Sequence, residues 1–271
     1  MTDGPDGLRP APEKVAAALA QIAPGQRLEH QKLAPLVDSA NVGPATWNAL
    51  LDRITAAPGA VIVTHGTDTM AFTGAAMDAA LAGFGKPGRS VVLTGSMHPL
   101  GAAGSDAEGN LKLAIETAIA AKPGVWLAFG GQVLPGGAVS KQHSQDEVAF
   151  VQAGGLTPPL GGAPQFDPTK SVGIVTLSPG LSPRALAAQL DALDGAVLRV
   201  FGAGTMPDAL VQTLVGFKGK PMIAVSQCLA GGLEPGAYAA GAGLWAAGVE
   251  NGGQMSPEQA LARLLLRLSA H

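Results

Sequence analysis

One unit recurs along this chain: a short β-branched apolar run, a polar glycine-containing loop, then an alanine-rich helical stretch. Ala60-Val-Ile-Val-Thr64 is the first such run, and the helical stretch Met70 to Ala82 follows it. Ser90-Val-Val-Leu-Thr94 opens a second unit and Gly124-Val-Trp-Leu-Ala-Phe129 a third. Runs this apolar suit strands buried on both faces, so residues 60–64 are expected inside a parallel sheet. Strand, loop and helix in rotation specify an α/β fold, because a parallel neighbour is reached only through a crossover.

Helices are legible from spacing. Val15, Ala18, Leu19 and Ile22 fall at i, i+3, i+4 and i+7, and Trp47, Leu50, Leu51 and Ile54 repeat that pattern. Ser105-Asp-Ala-Glu108 has the form of a capping box and is expected to open a helix ending near Ala121. Further strands are expected at residues 172–177, 196–201 and 221–226. Ser182-Pro183 and Ser256-Pro257 each put a capping hydroxyl at N-cap and a preset φ at N1, and another helix starts near Pro207. Residues 154–170, rich in glycine and proline, read as a linker. The expected organisation is two α/β domains: a larger N-terminal parallel-sheet domain over residues 1–153 and a smaller C-terminal domain over 171–271.

Composition narrows the function classes. Hydrophobic residues make up 47% of the 271, ample for buried cores, and the 38 glycines and 21 prolines are dispersed among apolar runs, which argues against disorder. The net charge of −3, without clustered Lys and Arg, excludes a nucleic-acid partner. Cys228 is the single cysteine and cannot form an internal disulfide; it is expected to be a buried, inert thiol. The 5 histidines show no i, i+4 pair, so no metal is expected. No apolar stretch reaches the roughly 18 residues of a membrane span, and the first residues lack a signal peptide's basic and apolar regions. The expectation is a soluble, cytoplasmic protein. Charged residues are only 14%, which hints at surface covered by another subunit.

In open parallel sheets, ligands bind beyond the carboxyl ends of strands. That rule selects the loops after Thr64 and Thr94. The first reads His65-Gly-Thr-Asp-Thr69, and Thr67 beside Asp68 suits a nucleophile with a positioning carboxylate. A threonine hydroxyl needs a base. By simple alternation Asp68 points away from Thr67, so the base comes from elsewhere, and a lysine whose environment lowers its pKa would serve. The same two residues could instead cap the helix beginning near Met70, and spacing leaves both readings open. His65 reads as a structural strand-end residue. Gly83-x4-Gly88-Arg89-Ser90 precedes a strand instead of following one, and Gly202-Ala-Gly204 has Pro207 where a dinucleotide fingerprint needs its third glycine, so neither indicates a nucleotide site.

Val63-Thr-His-Gly-Thr-Asp-Thr-Met70 resembles the second signature of the L-asparaginases. Leu93-Thr-Gly-Ser-Met97, followed by Gly104-Ser-Asp106 and Asn110, is similar to that family's next segment, and Val139-Ser-Lys141 to its lysine segment. Phe201-Gly-Ala-Gly-Thr205 and Ser226-Gln-Cys228 resemble its cytosolic, type I branch. The resemblance implies a two-domain hydrolase that releases ammonia from L-asparagine, with no metal or organic cofactor, working as a homodimer or homotetramer. It implies catalytic roles for Thr67, Asp68 and Lys141, with the lysine helping to activate the hydroxyl. It implies that Ser39 binds the substrate's α-carboxylate, that Asp68 holds its α-amino group, and that the backbone of Ser96 lies near the side-chain amide. Ala40 stands where the family often has Gln or Ser.

The family's opening Thr-Gly-Gly-Thr-Ile, which supplies a second threonine usually taken as the primary nucleophile, does not occur in these residues. The start resembles a truncation of that first strand, with Asp6-Gly-Leu-Arg-Pro10 continuing the family's lid and Leu8 at the position of its tyrosine. Little asparaginase activity is therefore expected of the chain as written. The alternatives are a non-catalytic amino-acid sensor of the same fold, and an ammonia-supplying subunit of a transamidation complex, which ranks last because no added basic domain is present.

Overall fold

The computed structural model describes residues 2–4, 7–9, 11–82, 90–120, 122–157, 160, 165–236 and 241–270. The chain divides into two units, Met1–Gln152 and Ala153–His271. Gly83 to Arg89, and Asp6 and Pro10 of the expected lid, lie outside the described residues.

In the first unit an antiparallel hairpin of β1 (Thr2–Gly4) and β2 (Gly7–Arg9) precedes α1 (Pro12–Ile22) and α2 (Pro44–Ala56). The four residues spaced along α2, Trp47, Leu50, Leu51 and Ile54, are all buried. Then come β3 (Val61–Thr64), α3 (Met70–Ala82), β4 (Ser90–Thr94), α4 (Ala107–Ile119) and β5 (Gly124–Phe129). β3, β4 and β5 are parallel neighbours. The chain turns back at Gly130 and Gly131, whose φ of 56° and 73° a side chain would strain, into the antiparallel β6 (Gln132–Pro135). A 3-10 turn, Gly136–Ala138, leads to a two-stranded ribbon of β7 (Val139–Lys141) and β8 (Phe150–Gln152).

Two local expectations are corrected here. β3 was expected in the interior of the sheet, but among the described residues it pairs only with β4 and stands at the edge. Only Val63 of β3 is fully buried, whereas all five residues of β4 are. An apolar run reports contact with a core, not the number of strand neighbours. The capping box at Ser105 does not form: α4 has Asp106 at N-cap with no side-chain cap, and the Ser105 hydroxyl accepts only from Ala107 N, at 3.2 Å.

α3 lies close against the 3-10 turn that leads to β7. A Cβ on Gly74 would overlap the carbonyl oxygen of Gly136 and sit 3.0 Å from its carbonyl carbon. Alanine is the better helix former by about 1 kcal/mol, yet backbone cannot yield as a side-chain tip can. Gly74→Ala is expected to destabilise the protein by about 1–3 kcal/mol, the usual cost of overpacking. Thermal unfolding of that variant checks this, and an unchanged or raised midpoint would contradict the close approach.

The second unit holds β9 (Val172–Thr176), α5 (Pro183–Asp191), β10 (Gly195–Val200), α6 (Asp208–Val215), β11 (Met222–Ser226), α7 (Ala242–Ala246), β12 (Glu250–Asn251) and α8 (Pro257–Ser269). Its sheet runs β12-β11-β10-β9, all parallel. Val197, Ile223 and Val225 pack on Ala260 and Leu264 of α8, while Leu198 and Ala224 pack with Leu186, Leu190, Leu210 and Leu214 in the larger core. Ser182 caps α5, and Ser256 with Gln259 forms a full capping box on α8. Cys228, expected to be buried, is exposed. It lies two residues past β11, beyond the sheet that buries Ser226.

Candidate active site

Thr64 of β3 and Thr94 of β4 are paired in register, and His65 N donates to Thr94 O at 2.9 Å. The loops that follow both strands therefore leave from one end of the sheet. The first loop covers residues 65–69 and ends where α3 begins. Lys141, the last residue of β7, reaches it from the ribbon. Its Nζ donates to Thr67 Oγ1 at 2.8 Å and to Asp68 Oδ1 at 2.9 Å. Strand alternation would have turned Asp68 away from Thr67. The strand ends at Thr64, however, and the turn after it brings both side chains to one ammonium group. The lysine side chain is 18% exposed and the Asp68 side chain 67%. The cation is thus enclosed, and its carboxylate faces the solvent from which a small molecule would arrive.

Ser39 begins a 3-10 turn, Ser39–Asn41, that Asp38 caps by accepting from Ala40 N at 3.0 Å. Thr69 Oγ1 donates to the Ser39 carbonyl at 2.6 Å, tying that turn to the loop. Gly66 makes the approach possible: a Cβ there would lie 2.5 Å from Ser39 Oγ. Ser96 is half-buried in the loop after β4. A Cβ on its neighbour Gly95 would overlap the His65 carbonyl, so the two loops touch. Thr67, Asp68 and Lys141 thus form one hydrogen-bonded cluster, Ser39 packs beside it, and Ser96 sits on the adjoining loop.

His65 holds the first loop from beneath. Trp47 Nε1 donates to Thr73 Oγ1 at 3.1 Å, and Thr73 Oγ1 lies 2.9 Å from His65 Nε2. His65 Nδ1 lies 2.6 Å from the Gly66 carbonyl, which can only accept. Nδ1 therefore carries the proton, Nε2 accepts from the threonine hydroxyl, and the ring is neutral. Burial lowers the His65 pKa below its usual 6.5, and the bond to Gly66 opposes that only in part. The unfolded chain takes up this proton at a higher pH than the folded one. Stability from His65 is therefore complete above about pH 6.5 and declines as the pH falls through the window below it. Denaturant unfolding between pH 7.5 and 5 is expected to show this loss, with a shallower slope for His65→Gln; equal slopes would contradict it.

Trp47, Thr69 and Thr73 were not singled out as site residues from the sequence. The bonds from Trp47 to Thr73 and from Thr69 to Ser39 join residues far apart in the chain, for which a linear pattern carries no sign. Among the described residues, no helix is long and apolar enough to cross a membrane.

Comparison with known proteins bears on the family of the chain. Residues 2–163 match the family description "Asparaginase, N-terminal", and residues 171–271 match "Glutaminase/Asparaginase C-terminal domain". The chain is 33% identical over 269 residues to an L-asparaginase of Thermococcus kodakarensis, covering 90% of this chain and 80% of that protein. It is 31% identical over 266 residues to L-asparaginase 1 of Escherichia coli K12, covering 87% and 77%. The solved structure of the thermostable L-asparaginase from Thermococcus kodakarensis superposes with a TM-score of 0.82 at 29% identity, over 100% of this chain and 89% of that one. Two matched halves and a relative similar along nearly all of the sequence lead to one conclusion: the chain belongs to the asparaginase family.

Proposed function

We propose that this protein hydrolyses the side-chain amide of L-asparagine to L-aspartate and ammonia, with Thr67 as nucleophile. The observation that carries the reading is the 2.8 Å hydrogen bond between Lys141 Nζ and Thr67 Oγ1, with Asp68 on the same ammonium. As Thr67 Oγ1 bonds to the amide carbon, the hydroxyl proton passes by way of Lys141 Nζ to the departing nitrogen. The tetrahedral intermediate collapses, the C–N bond breaks, and the nitrogen leaves with a proton as ammonia. Water then cleaves the ester, which releases aspartate and restores the threonine. Backbone N–H groups at the strand ends stabilise the oxyanion.

Substrate orientation follows from charge. The solvent-facing carboxylate of Asp68 suits the α-ammonium group, a charge-assisted bond. Ser39, held against Gly66, suits the α-carboxylate, and the Ser96 backbone flanks the amide end. The relatives named L-asparaginase support this substrate class. The proposal includes a cytoplasmic homo-oligomer, supported by the charged fraction of only 14%.

The deciding experiment combines ammonia release from L-asparagine with calorimetry on the same preparation. Release of ammonia with stoichiometric aspartate is the expected result. Asparagine or aspartate binding without any release would overturn hydrolysis in favour of an amino-acid sensor.

A further inference from the structure

We propose that Asp106 and Asn110 are positioning residues that aim the Ser96 backbone at the amide end of the substrate. The inference rests on the proposed function and deepens it. Two misplaced local preferences point to it. Asp106 occupies the N-cap of α4, where a carboxylate ordinarily accepts from its own helix, yet it makes no capping bond. Asn110 lies within α4, an unfavourable residue there, and is only 3% exposed. Both side chains serve the loop after β4 instead.

Asp106 Oδ2 accepts from Met97 N and Asp106 Oδ1 from His98 N, each at 2.9 Å. Asn110 Nδ2 donates to the Gly95 carbonyl at 3.0 Å and to Asp106 Oδ2 at 2.9 Å. Asn110 Oδ1 accepts from Gly130 N at 2.9 Å, which anchors the pair to the turn after β5. Ser105 Oγ donates to the His98 carbonyl at 3.2 Å.

The geometry has a direct consequence for Ser96. The Gly95 carbonyl belongs to the peptide unit before Ser96, and the Met97 N–H to the unit after it. Each trans peptide is planar, with its C=O and N–H pointing in opposite directions. Pinning Gly95 O toward α4 turns Ser96 N–H the other way, and pinning Met97 N–H turns Ser96 C=O the other way. Both polar groups of Ser96 are thus aimed from the far side. A half-buried carboxylate with three donors and a buried amide bonded at both ends fix this orientation before any ligand binds.

The test is Asp106→Asn, which keeps shape and removes an acceptor. Its one oxygen cannot serve Met97 N and His98 N as two carboxylate oxygens do, and its NH2 must face one of those donors. The α-amino and α-carboxylate contacts lie elsewhere, so kcat is expected to fall about 10- to 100-fold while KM changes less than about 3-fold. Asn110→Asp, which sets a second carboxylate against Asp106 and the Gly95 carbonyl, is expected to give the same split. Amide exchange on the unmodified protein supplies a readout that needs no folded variant: Met97 and His98 N–H should be protected. Free exchange at both amides, or variants with unaltered kcat in an active protein, would overturn the inference alone. An unmodified protein that releases no ammonia would overturn the proposed function, and this inference with it.

Discussion

Thr67→Ala is expected to lower ammonia release from L-asparagine by about 10³-fold or more, since it removes the atom that forms the covalent bond. The fold should survive. Thr67 lies in the loop after β3, not in a core cluster, and its hydroxyl bonds to Lys141, which keeps Asp68 as a partner. Steady-state kinetics beside a thermal melt separates the two effects. An unchanged melt with lost activity fits the proposed role. Activity retained in full would remove Thr67 from the chemistry.

Lys141→Met is expected to cost about 10²- to 10⁴-fold in kcat, the span of general acid–base contributions. Methionine keeps the length and apolar stem of lysine but neither donates to Thr67 nor takes its proton. The lost ion pair should matter little to stability. Asp68 is 67% exposed and returns to water, and a pair open on one side is worth about 0–1 kcal/mol. Thr67→Ala combined with Lys141→Met should be no slower than Thr67→Ala alone, because a base without its hydroxyl has nothing to activate. Multiplying losses in the double variant would mean that the two residues act independently, contrary to their 2.8 Å contact.

Much of the fold was legible where the signal is local. Residues 70–82 form α3 with the bounds that their composition predicts, and the spaced apolar faces of α1 and α2 became helices. Strand composition located β4, β5 and β9 to β11 to within a residue or so. The short strands β6, β7 and β8 were not read as strands. They are three or four residues long, β6 ends in proline, and distant pairing creates them. The capping box at Ser105 failed for a related reason. Its spacing was right, but Asp106 finds stronger long-range partners in Met97 and His98. At the site, spacing singled out Thr67 and Asp68 alone. Lys141, more than 70 residues away, came only with the family resemblance, since nothing local ties it to a loop it meets in space.

The most direct measurement stops the reaction with L-asparagine by acid and maps the protein's peptides by mass spectrometry. The expected result is an aspartyl ester on the peptide carrying Thr67, absent from Thr67→Ala. An ester on any other residue, or no ester at all, would contradict Thr67 as the nucleophile.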